Sequence, residues 1–205
     1  MLKIFITRHG ETLWNVEKRL QGWKDSPLTE IGIKNAAALG AALEETPFDA
    51  VFCSPSERSV HTAKLIVGNQ TIPFYLEQKL REINMGDWEG RTQSEIEESD
   101  GDSFHSFWNT PHLYNAKTGE NFEDVQHRAV EAINEIKNAH QSGNILLVTH
   151  TVVIKCLLAY FKNLPLEKLW EPPCIHDTSL TVIEISQVPK ILLEGDISHK
   201  NVAFI

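Results

Sequence analysis

Two arginines and two histidines occupy positions where their side chains could act together on one anion. Arg8 and His9 directly follow an apolar run, His150 follows a second run, and Arg58 comes shortly after a third. If these runs are parallel strands of one sheet, their carboxyl ends meet at the edge where ligands bind. Guanidinium and imidazole groups hydrogen-bond well to phosphoryl oxygens. The spacing therefore predicts a phosphate-sized pocket at that edge.

Each of these four residues has a simpler interpretation when it is considered alone. A histidine at a strand end is more often a core or surface residue than a catalyst, and the chain has nine histidines. An arginine in the first turn of a helix can extend away from the helix dipole. Four such groups at one edge favour a site over these alternatives. The sequence lacks a P-loop, an H-E-x-x-H motif and paired Cys/His spacings, so we expect no metal and no cofactor.

The pattern of apolar residues predicts the elements that must position these groups. Strands alternate with helices, which is typical of an α/β fold with a mostly parallel central sheet between two helical layers. Residues 1–205 are expected to form a single domain, with a helical or loop excursion at about 90–120 over the site. The predicted strands cover residues 2–7, 50–53, 73–76, 144–149, 179–185 and 190–193, and the predicted helices cover 29–43, 54–67, 122–140 and 152–161.

Two helix starts carry specific capping signals. Thr29 is the expected N-cap of the helix that runs to about Leu43. Ser54 is the expected N-cap of the next helix, with Pro55 at its first position and Glu57 completing a capping box. Both predictions place the start of a helix close to a strand end.

The charge balance of the chain is acidic, with a formal net charge of −9 at pH 7. This argues against sequence-independent binding to nucleic acid and against a basic membrane anchor. The apolar stretch 145–161 is interrupted by His150 and Lys155 and is too short to span a membrane. Three cysteines without a paired spacing and a start without a signal-peptide pattern favour a cytoplasmic protein.

Four motifs follow one another along the chain. They are Thr7-Arg8-His9-Gly10-Glu11-Thr12 with Trp14-Asn15 and Gln21-Gly22-Trp23, then Ser54-Pro55 through Arg58, then Leu80-Arg81-Glu82-Ile83, and finally Val148-Thr149-His150. These motifs resemble those of the histidine phosphatase superfamily, the phosphoglycerate mutase-like family, and the resemblance covers essentially the whole chain. The stretch with Gly86–Gly90 and the later Leu164–Pro173 are most similar to its broad-specificity phosphatase (PhoE-like) branch.

The resemblance implies a role for each matching residue. His9 would be the nucleophile that becomes phosphohistidine, and Glu82 the acid that protonates the leaving oxygen and then activates water. Glu89 and Asp87 are reserve candidates for that acid. The phosphoryl oxygens would be bound by Arg8, Arg58 and His150, with Asn15, Gln21, Gly22 and Thr151 as further pocket residues. Two guanidinium groups should also lower the pKa of the nucleophilic imidazole and keep it neutral.

Thr151 departs from the family pattern, which usually has glycine after the second histidine. A threonine there can cap the following helix and offer a backbone N–H to phosphate. Its bulk changes the shape of the pocket at this point. We therefore expect altered specificity with activity retained.

The family contains phosphatases and mutases, and local charge is the sequence argument between them. The window 82–102 holds eight acids and one base, which accounts for −7 of the net charge. An acidic lid would repel a substrate with two anionic groups and so favours a phosphatase. The following aromatic residues would be either part of that lid or a small hydrophobic core. They are Phe104, Phe107, Trp108 and Tyr114, together with Leu113.

The prediction from the sequence is a metal-independent phosphatase that hydrolyses a broad range of small phosphate monoesters through a phosphohistidine. The enzymatic alternatives are a phosphoglycerate mutase and a pathway-specific phosphatase such as an α-ribazole phosphatase. The alternative from another class is a catalytically silent phosphate-binding regulatory protein. The sequence makes no prediction of the oligomeric state.

Overall fold

A computed structural model of the chain describes residues 1–201, in which six strands form one sheet with α-helices on both faces. The strands are β1 (Leu2–Arg8), β2 (Ala50–Cys53), β3 (Phe74–Leu76), β4 (Gly143–Thr149), β5 (Leu180–Ile185) and β6 (Lys190–Asp196). The helices are α1 (Leu13–Val16), α2 (Glu30–Ala42), α3 (Glu57–Val67), α4 (Gln93–Asn109), α5 (Phe122–Ala139) and α6 (Thr151–Phe161).

The strand order is β3-β2-β4-β1-β5-β6. The first four strands of this order pair in parallel, whereas β5 and β6 are antiparallel to their neighbours. The carboxyl ends of β1, β2 and β4 therefore lie side by side at one edge. This confirms the predicted α/β fold with a mostly parallel sheet and the predicted meeting of strand ends.

Side chains of the central strand β4 alternate between two hydrophobic layers. Ile145 and Leu147 pack into the layer formed with α5 and α6, and Leu146 and Val148 pack into the layer formed with α2 and α3. A strand buried on both faces explains why this segment is continuously apolar. Helix α6 has 11 residues, and no helix in the described part of the chain has the length and apolar character needed to cross a membrane.

One of the two predicted helix starts is confirmed and the other is wrong. Thr29 caps α2, since its hydroxyl accepts a hydrogen bond from the Gly32 N–H. Helix α3 begins at Glu57 with Ser56 as its N-cap, so Ser54 is not a cap. The Ser54 hydroxyl instead lies 2.7 Å from His150 Nε2. The capping prediction was wrong because the Ser54 hydroxyl contacts His150, a residue distant in sequence, and not the backbone of α3.

The excursion at 90–120 contains the 17-residue helix α4, which changes direction at Asp100. Asp100 has the non-helical angles φ −149° and ψ 46°, and its carboxylate accepts a hydrogen bond from Trp88 Nε1 at 3.2 Å. The aromatic side chains of this region form a hydrophobic core with edge-on and tilted contacts, while Leu113 is exposed. The ring contacts involve Trp88, Phe104, Phe107, Trp108, Tyr114, Phe122 and Trp170.

Candidate active site

A cavity of about 250 Å³ opens at the carboxyl ends of the parallel strands. Its walls include Arg8 and His9 at the end of β1, Arg58 in the first turn of α3, and Glu82 in the connection after β3. His150, at the end of β4, lies behind this wall, with its ring centroid 5.2 Å from that of His9. The structure thus brings together the five residues that the sequence predicts as catalytic.

His9 is buried, and its hydrogen bonding defines which ring nitrogen is available. Nδ1 lies 2.8 Å from the Gly10 carbonyl oxygen, which can only accept, so Nδ1 carries the proton. Nε2 therefore holds the free lone pair. Burial, followed by the charges of Arg58 and Arg8, lowers the pKa of His9 well below its ordinary value of 6.5. The imidazole is neutral at neutral pH, which is the form that can act as a nucleophile.

Arg58 is held rigidly, with its side chain almost fully buried. Nη1 donates to Asp25 Oδ1 and to the Lys24 carbonyl, both at 2.7 Å, and Nη2 donates to the Gly22 carbonyl at 2.9 Å. Its Nε is buried and has no partner within residues 1–201. Because an unpaired buried donor is costly, a bound phosphate oxygen is a fitting acceptor for this N–H. Asp25 was not predicted from the sequence as part of the site.

Arg8 is less constrained by protein groups than Arg58. Its Nη1 donates to the Ile175 carbonyl at 3.0 Å, and its Nε is also buried without a partner in the described residues. The backbone after it is fixed by the Thr178 N–H, which donates to the Arg8 carbonyl at 3.1 Å. The two arginines thus present one buried unpaired N–H each, as expected of a pair that binds one anion.

Both ring nitrogens of His150 already have protein partners. Arg58 Nη2 can only donate, so Nδ1 of His150 accepts from it at 3.1 Å. Nε2 must then carry the proton, and it donates to Ser54 Oγ. Burial, followed by the charge of Arg58, lowers the pKa of His150 well below its ordinary value. His150 therefore orients Arg58 in this structure, and its direct contact with phosphate stays a prediction.

Glu82 is a buried carboxyl at the same cavity. Oε1 accepts from the Ile83 N–H at 2.9 Å. Burial raises the pKa of Glu82, against the opposing effects of that hydrogen bond and of Arg58. The reserve candidates are placed differently: Asp87 is exposed outside the cavity wall, and Glu89 accepts from the Trp23 N–H. Of these three carboxyls, only Glu82 lines the cavity, and its raised pKa favours the protonated form that a general acid needs.

The four further pocket residues of the sequence prediction all line the cavity. Asn15 Oδ1 accepts from the Thr12 N–H, and Gln21 Nε2 donates to Thr12 Oγ1. Gly22 has φ +51°, and a Cβ there would lie 2.2 Å from Glu89 Oε1, so only glycine fits. These contacts fix the loop that follows β1. Their contact with phosphate remains a prediction.

Thr151 lines the cavity too, but it does not cap α6. The N-cap is His150, and Thr151 is the first helical residue. Its backbone N–H belongs to the first turn of the helix, whose amides lack partners within the helix. The predicted backbone contact with phosphate is still compatible with this position.

The expectation of an acidic lid is wrong. Among the acids of residues 82–102, Glu82 alone belongs to the cavity wall. Two of the others have partners elsewhere: Glu95 accepts from the Thr92 N–H at the start of α4, and Asp100 pairs with Lys117 at 2.6 Å. The wall instead carries Lys18 and Arg19 besides Arg8 and Arg58, and Phe107, Trp108 and Trp170 form an apolar side. The net charge of a sequence window could not show this, because it does not say which side chains face the cavity.

Within residues 1–201, no group of three histidine, cysteine, aspartate or glutamate side chains is arranged to hold a metal ion. The groups available to bind an anion at the cavity are guanidinium, amide and backbone N–H donors, together with one lysine. Such donors match phosphoryl oxygens in geometry and charge. The arrangement can bind a phosphate monoester, attack its phosphorus with His9 Nε2 and protonate the leaving oxygen.

Comparison with known proteins agrees with this chemistry. Residues 4–194 match the family described as histidine phosphatase superfamily (branch 1). The chain is 34% identical to an adenosylcobalamin/alpha-ribazole phosphatase of Salmonella typhimurium over 82% of this chain and 84% of the relative. It is 31% identical to a probable phosphoglycerate mutase of Yersinia pestis over 80% and 77%. The solved structure of Bacillus stearothermophilus YhfR has 47% identity and a TM-score of 0.96, covering 98% of this chain and 100% of that one.

Proposed function

Since the chain belongs to the histidine phosphatase superfamily, we propose that it hydrolyses small phosphate monoesters through a phosphohistidine, without a metal and with a broad substrate range. The observation that carries the proposal is that the unprotonated Nε2 of His9 and the carboxyl of Glu82, whose pKa is raised by burial, share one cavity with two arginines. Phosphoryl transfer needs an in-line nucleophile, charge compensation and a proton for the leaving oxygen. His9, the two arginines and Glu82 are the groups that we assign to these three roles.

In the first step the Nε2 lone pair of His9 attacks the phosphorus atom. The bond between phosphorus and the ester oxygen breaks, and its electron pair stays on that oxygen. Glu82 gives its proton to the same oxygen, so that a neutral alcohol leaves. Arg8 and Arg58 compensate the charge on the three equatorial oxygens. The products are phosphohistidine and a Glu82 carboxylate.

In the second step a water molecule replaces the alcohol. The Glu82 carboxylate accepts a proton from this water as its oxygen attacks phosphorus. The bond between phosphorus and Nε2 breaks, and its electron pair returns to the imidazole. Inorganic phosphate leaves, with His9 neutral and Glu82 protonated again. The buried setting that raises the pKa of Glu82 suits both of these proton transfers.

The apolar side of the cavity supports a broad substrate range. Phe107, Trp108 and Trp170 face the space that the leaving group would occupy, together with Met85. Apolar contact depends on area and not on direction, so it accepts leaving groups of varied shape. A pathway-specific phosphatase, for example one for α-ribazole phosphate, would need more directed polar contacts. A mutase would need to retain the released alcohol for its second transfer.

The proposal is tested by hydrolysis of p-nitrophenyl phosphate in EDTA, followed by a panel of aromatic, sugar, α-ribazole and glycerate phosphates. Wild type should turn over in EDTA, and enzyme denatured in alkali during turnover of a ³²P-labelled phosphate ester should carry the label on a histidine. His9→Ala should lose both properties, whereas His112→Ala, which replaces an exposed histidine, should keep them. Phosphate binding without turnover would show a silent regulatory protein. Interconversion of 2- and 3-phosphoglycerate with little hydrolysis would show a mutase.

A further inference from the structure

Lys18 is a cation at the cavity wall that the proposed mechanism does not use. It is exposed and makes no ion pair within residues 1–201. The neighbouring cations are already engaged, since Arg58 pairs with Asp25 at 2.7 Å and Arg19 pairs with Glu17 at 2.7 Å. Arg8 is committed to the phosphate in the proposed mechanism. The ammonium group of Lys18 is therefore available to a ligand.

The backbone holds Lys18 in an uncommon conformation. Its φ is +55°, in the left-handed region that residues with a side chain rarely adopt. Hydrogen bonds fix it on both sides: the Lys18 N–H donates to the Asn15 carbonyl at 3.2 Å, and the Gln93 N–H donates to the Lys18 carbonyl at 3.0 Å. Both partners line the same cavity. Such local strain persists where the surrounding contacts enforce it, and it concentrates at ligand sites.

Among the basic side chains of the cavity wall in residues 1–201, Lys18 alone has neither an acidic partner nor a role in the proposed mechanism. Arg58 pairs with Asp25 and Arg19 with Glu17, and Arg8 binds the phosphate in that mechanism. The side chain of Gln93 faces the same space and can donate an amide hydrogen bond.

We propose that Lys18 is a specificity residue that binds a second anionic group, a carboxylate or a phosphate, on the leaving group of the substrate. This inference rests on the proposed phosphatase function and names a preferred class of its substrates. A leaving group with an anion at its far end would place that anion beside Lys18 and Gln93 while its phosphate binds Arg8 and Arg58. The apolar wall would contact the atoms between the two charges.

The test compares matched substrates in Lys18→Gln. Glycerol 3-phosphate has a neutral leaving group, 3-phosphoglycerate adds a carboxylate to the same skeleton, and propane-1,3-diol bisphosphate adds a second phosphate. We expect kcat/KM for the two anionic substrates to fall about 10-fold, as for loss of a charge-assisted hydrogen bond. The change should appear in KM with kcat retained, because the contact exists in both ground and transition states. Glycerol 3-phosphate should be unaffected.

Lys34→Gln is the control, because it removes the same charge from an exposed lysine outside the cavity. It should leave all three substrates unchanged. A fall in kcat/KM for only 3-phosphoglycerate, or for only the bisphosphate, would identify which anion Lys18 binds. An equal change for all three substrates in Lys18→Gln, or no change for any, would overturn the inference. If wild type hydrolyses none of these substrates and no other phosphate ester, the proposed function itself fails.

Discussion

His9 and His150 adopt opposite tautomers although their rings are in contact. His9 keeps its proton on Nδ1, facing the Gly10 carbonyl, whereas His150 keeps its proton on Nε2, facing Ser54. Protonation of His150 would put an N–H on Nδ1 directly opposite the Arg58 donor. Protonation of His150 would therefore remove one hydrogen bond of Arg58, whose contacts with Gly22, Lys24 and Asp25 would remain. A single residue thus links the protonation state of the site to its geometry.

Replacing Glu82 with glutamine tests the proton donor through the leaving group. Glu82→Gln cannot protonate the departing oxygen, so hydrolysis of an alkyl phosphate should fall about 10²–10⁴-fold. Hydrolysis of p-nitrophenyl phosphate should fall much less in the first step, because nitrophenolate leaves without a proton. The measurement is the ratio of single-turnover rates for the two substrates. Asp87→Asn, an exposed carboxyl outside the cavity, is the control and should leave this ratio unchanged.

The candidate site residues were predictable from the sequence, but their partners were not. The order of Arg8, His9, Arg58 and His150 along the chain indicates a shared site, because strand ends meet at one edge. Glu82 was identified by its position in a family motif. The side-chain partners of His150 depend on torsion angles and on loops that are distant in sequence. The availability of Lys18 depends on which other residues take up the nearby acids. Such information exists only in the folded arrangement.

At the scale of elements, the loop from Gln21 to Asp25 acts as a cradle for Arg58. It supplies two carbonyl oxygens, from Gly22 and Lys24, and the carboxylate of Asp25. The loop can do this because Gly22 turns the chain at positive φ with Glu89 packed against its Cα. A loop with no regular structure therefore determines where the guanidinium group lies.

Gly22→Ala and Gly68→Ala separate the cost of the backbone angle from the cost of lost space. Both glycines have positive φ, +51° and +59°, but a Cβ at Gly68 meets nothing within 4 Å. Gly68→Ala should cost about 1–2 kcal/mol of unfolding free energy, with activity retained. Gly22→Ala should cost more and should lower kcat/KM, because Glu89 must move and the Gly22 carbonyl moves with it. The measurements are urea unfolding and phosphatase kinetics, and equal losses in both properties would contradict this account.

Helices and strands were predicted best where a regular pattern of apolar residues runs through the whole element. The strands and the helices α2, α3, α5 and α6 follow apolar patterns that need no tertiary information. Two features were missed for physical reasons. The hydroxyl of Ser54 has a tertiary partner in His150 and does not cap α3, and the apolar stripe of α4 is interrupted at the bend of Asp100. A pattern that changes phase within a helix gives no single periodicity to detect.

At the scale of the molecule, the net charge of −9 and the local charge of the cavity have opposite signs. The cavity wall carries four basic side chains, Arg8, Lys18, Arg19 and Arg58, and one acid, Glu82. An anion approaching the protein is therefore attracted at close range although the whole molecule is acidic. The sequence alone does not separate the net charge from the charge of the cavity, so the predicted repulsion of substrates with two anionic groups does not follow.

The buried histidines should make stability fall as the medium becomes acidic. The pKa of His9 in the folded state lies below its ordinary value of 6.5. Below pH 6.5 the unfolded chain therefore binds a proton at this residue, whereas the folded chain does not. Unfolding is then favoured by about 1.4 kcal/mol per pH unit for this residue. His9→Asn cannot titrate and keeps a donor for the Gly10 carbonyl. The unfolding free energy of wild type minus that of His9→Asn should shrink by this amount from pH 6.5 downwards, and parallel curves would contradict the prediction.

The position of β1 in the sheet also has a consequence for how the protein is made. This strand comes early in the chain and directly precedes His9, yet its hydrogen-bonding neighbours come late: Leu2 pairs with Gly143 on one side and with Ile185 on the other. During translation β1 is synthesised first, and both of its edges stay unpaired until β4 and β5 have left the ribosome. Such distant pairings slow folding. The nascent chain can therefore assemble the candidate site only after β4 and β5 have been synthesised.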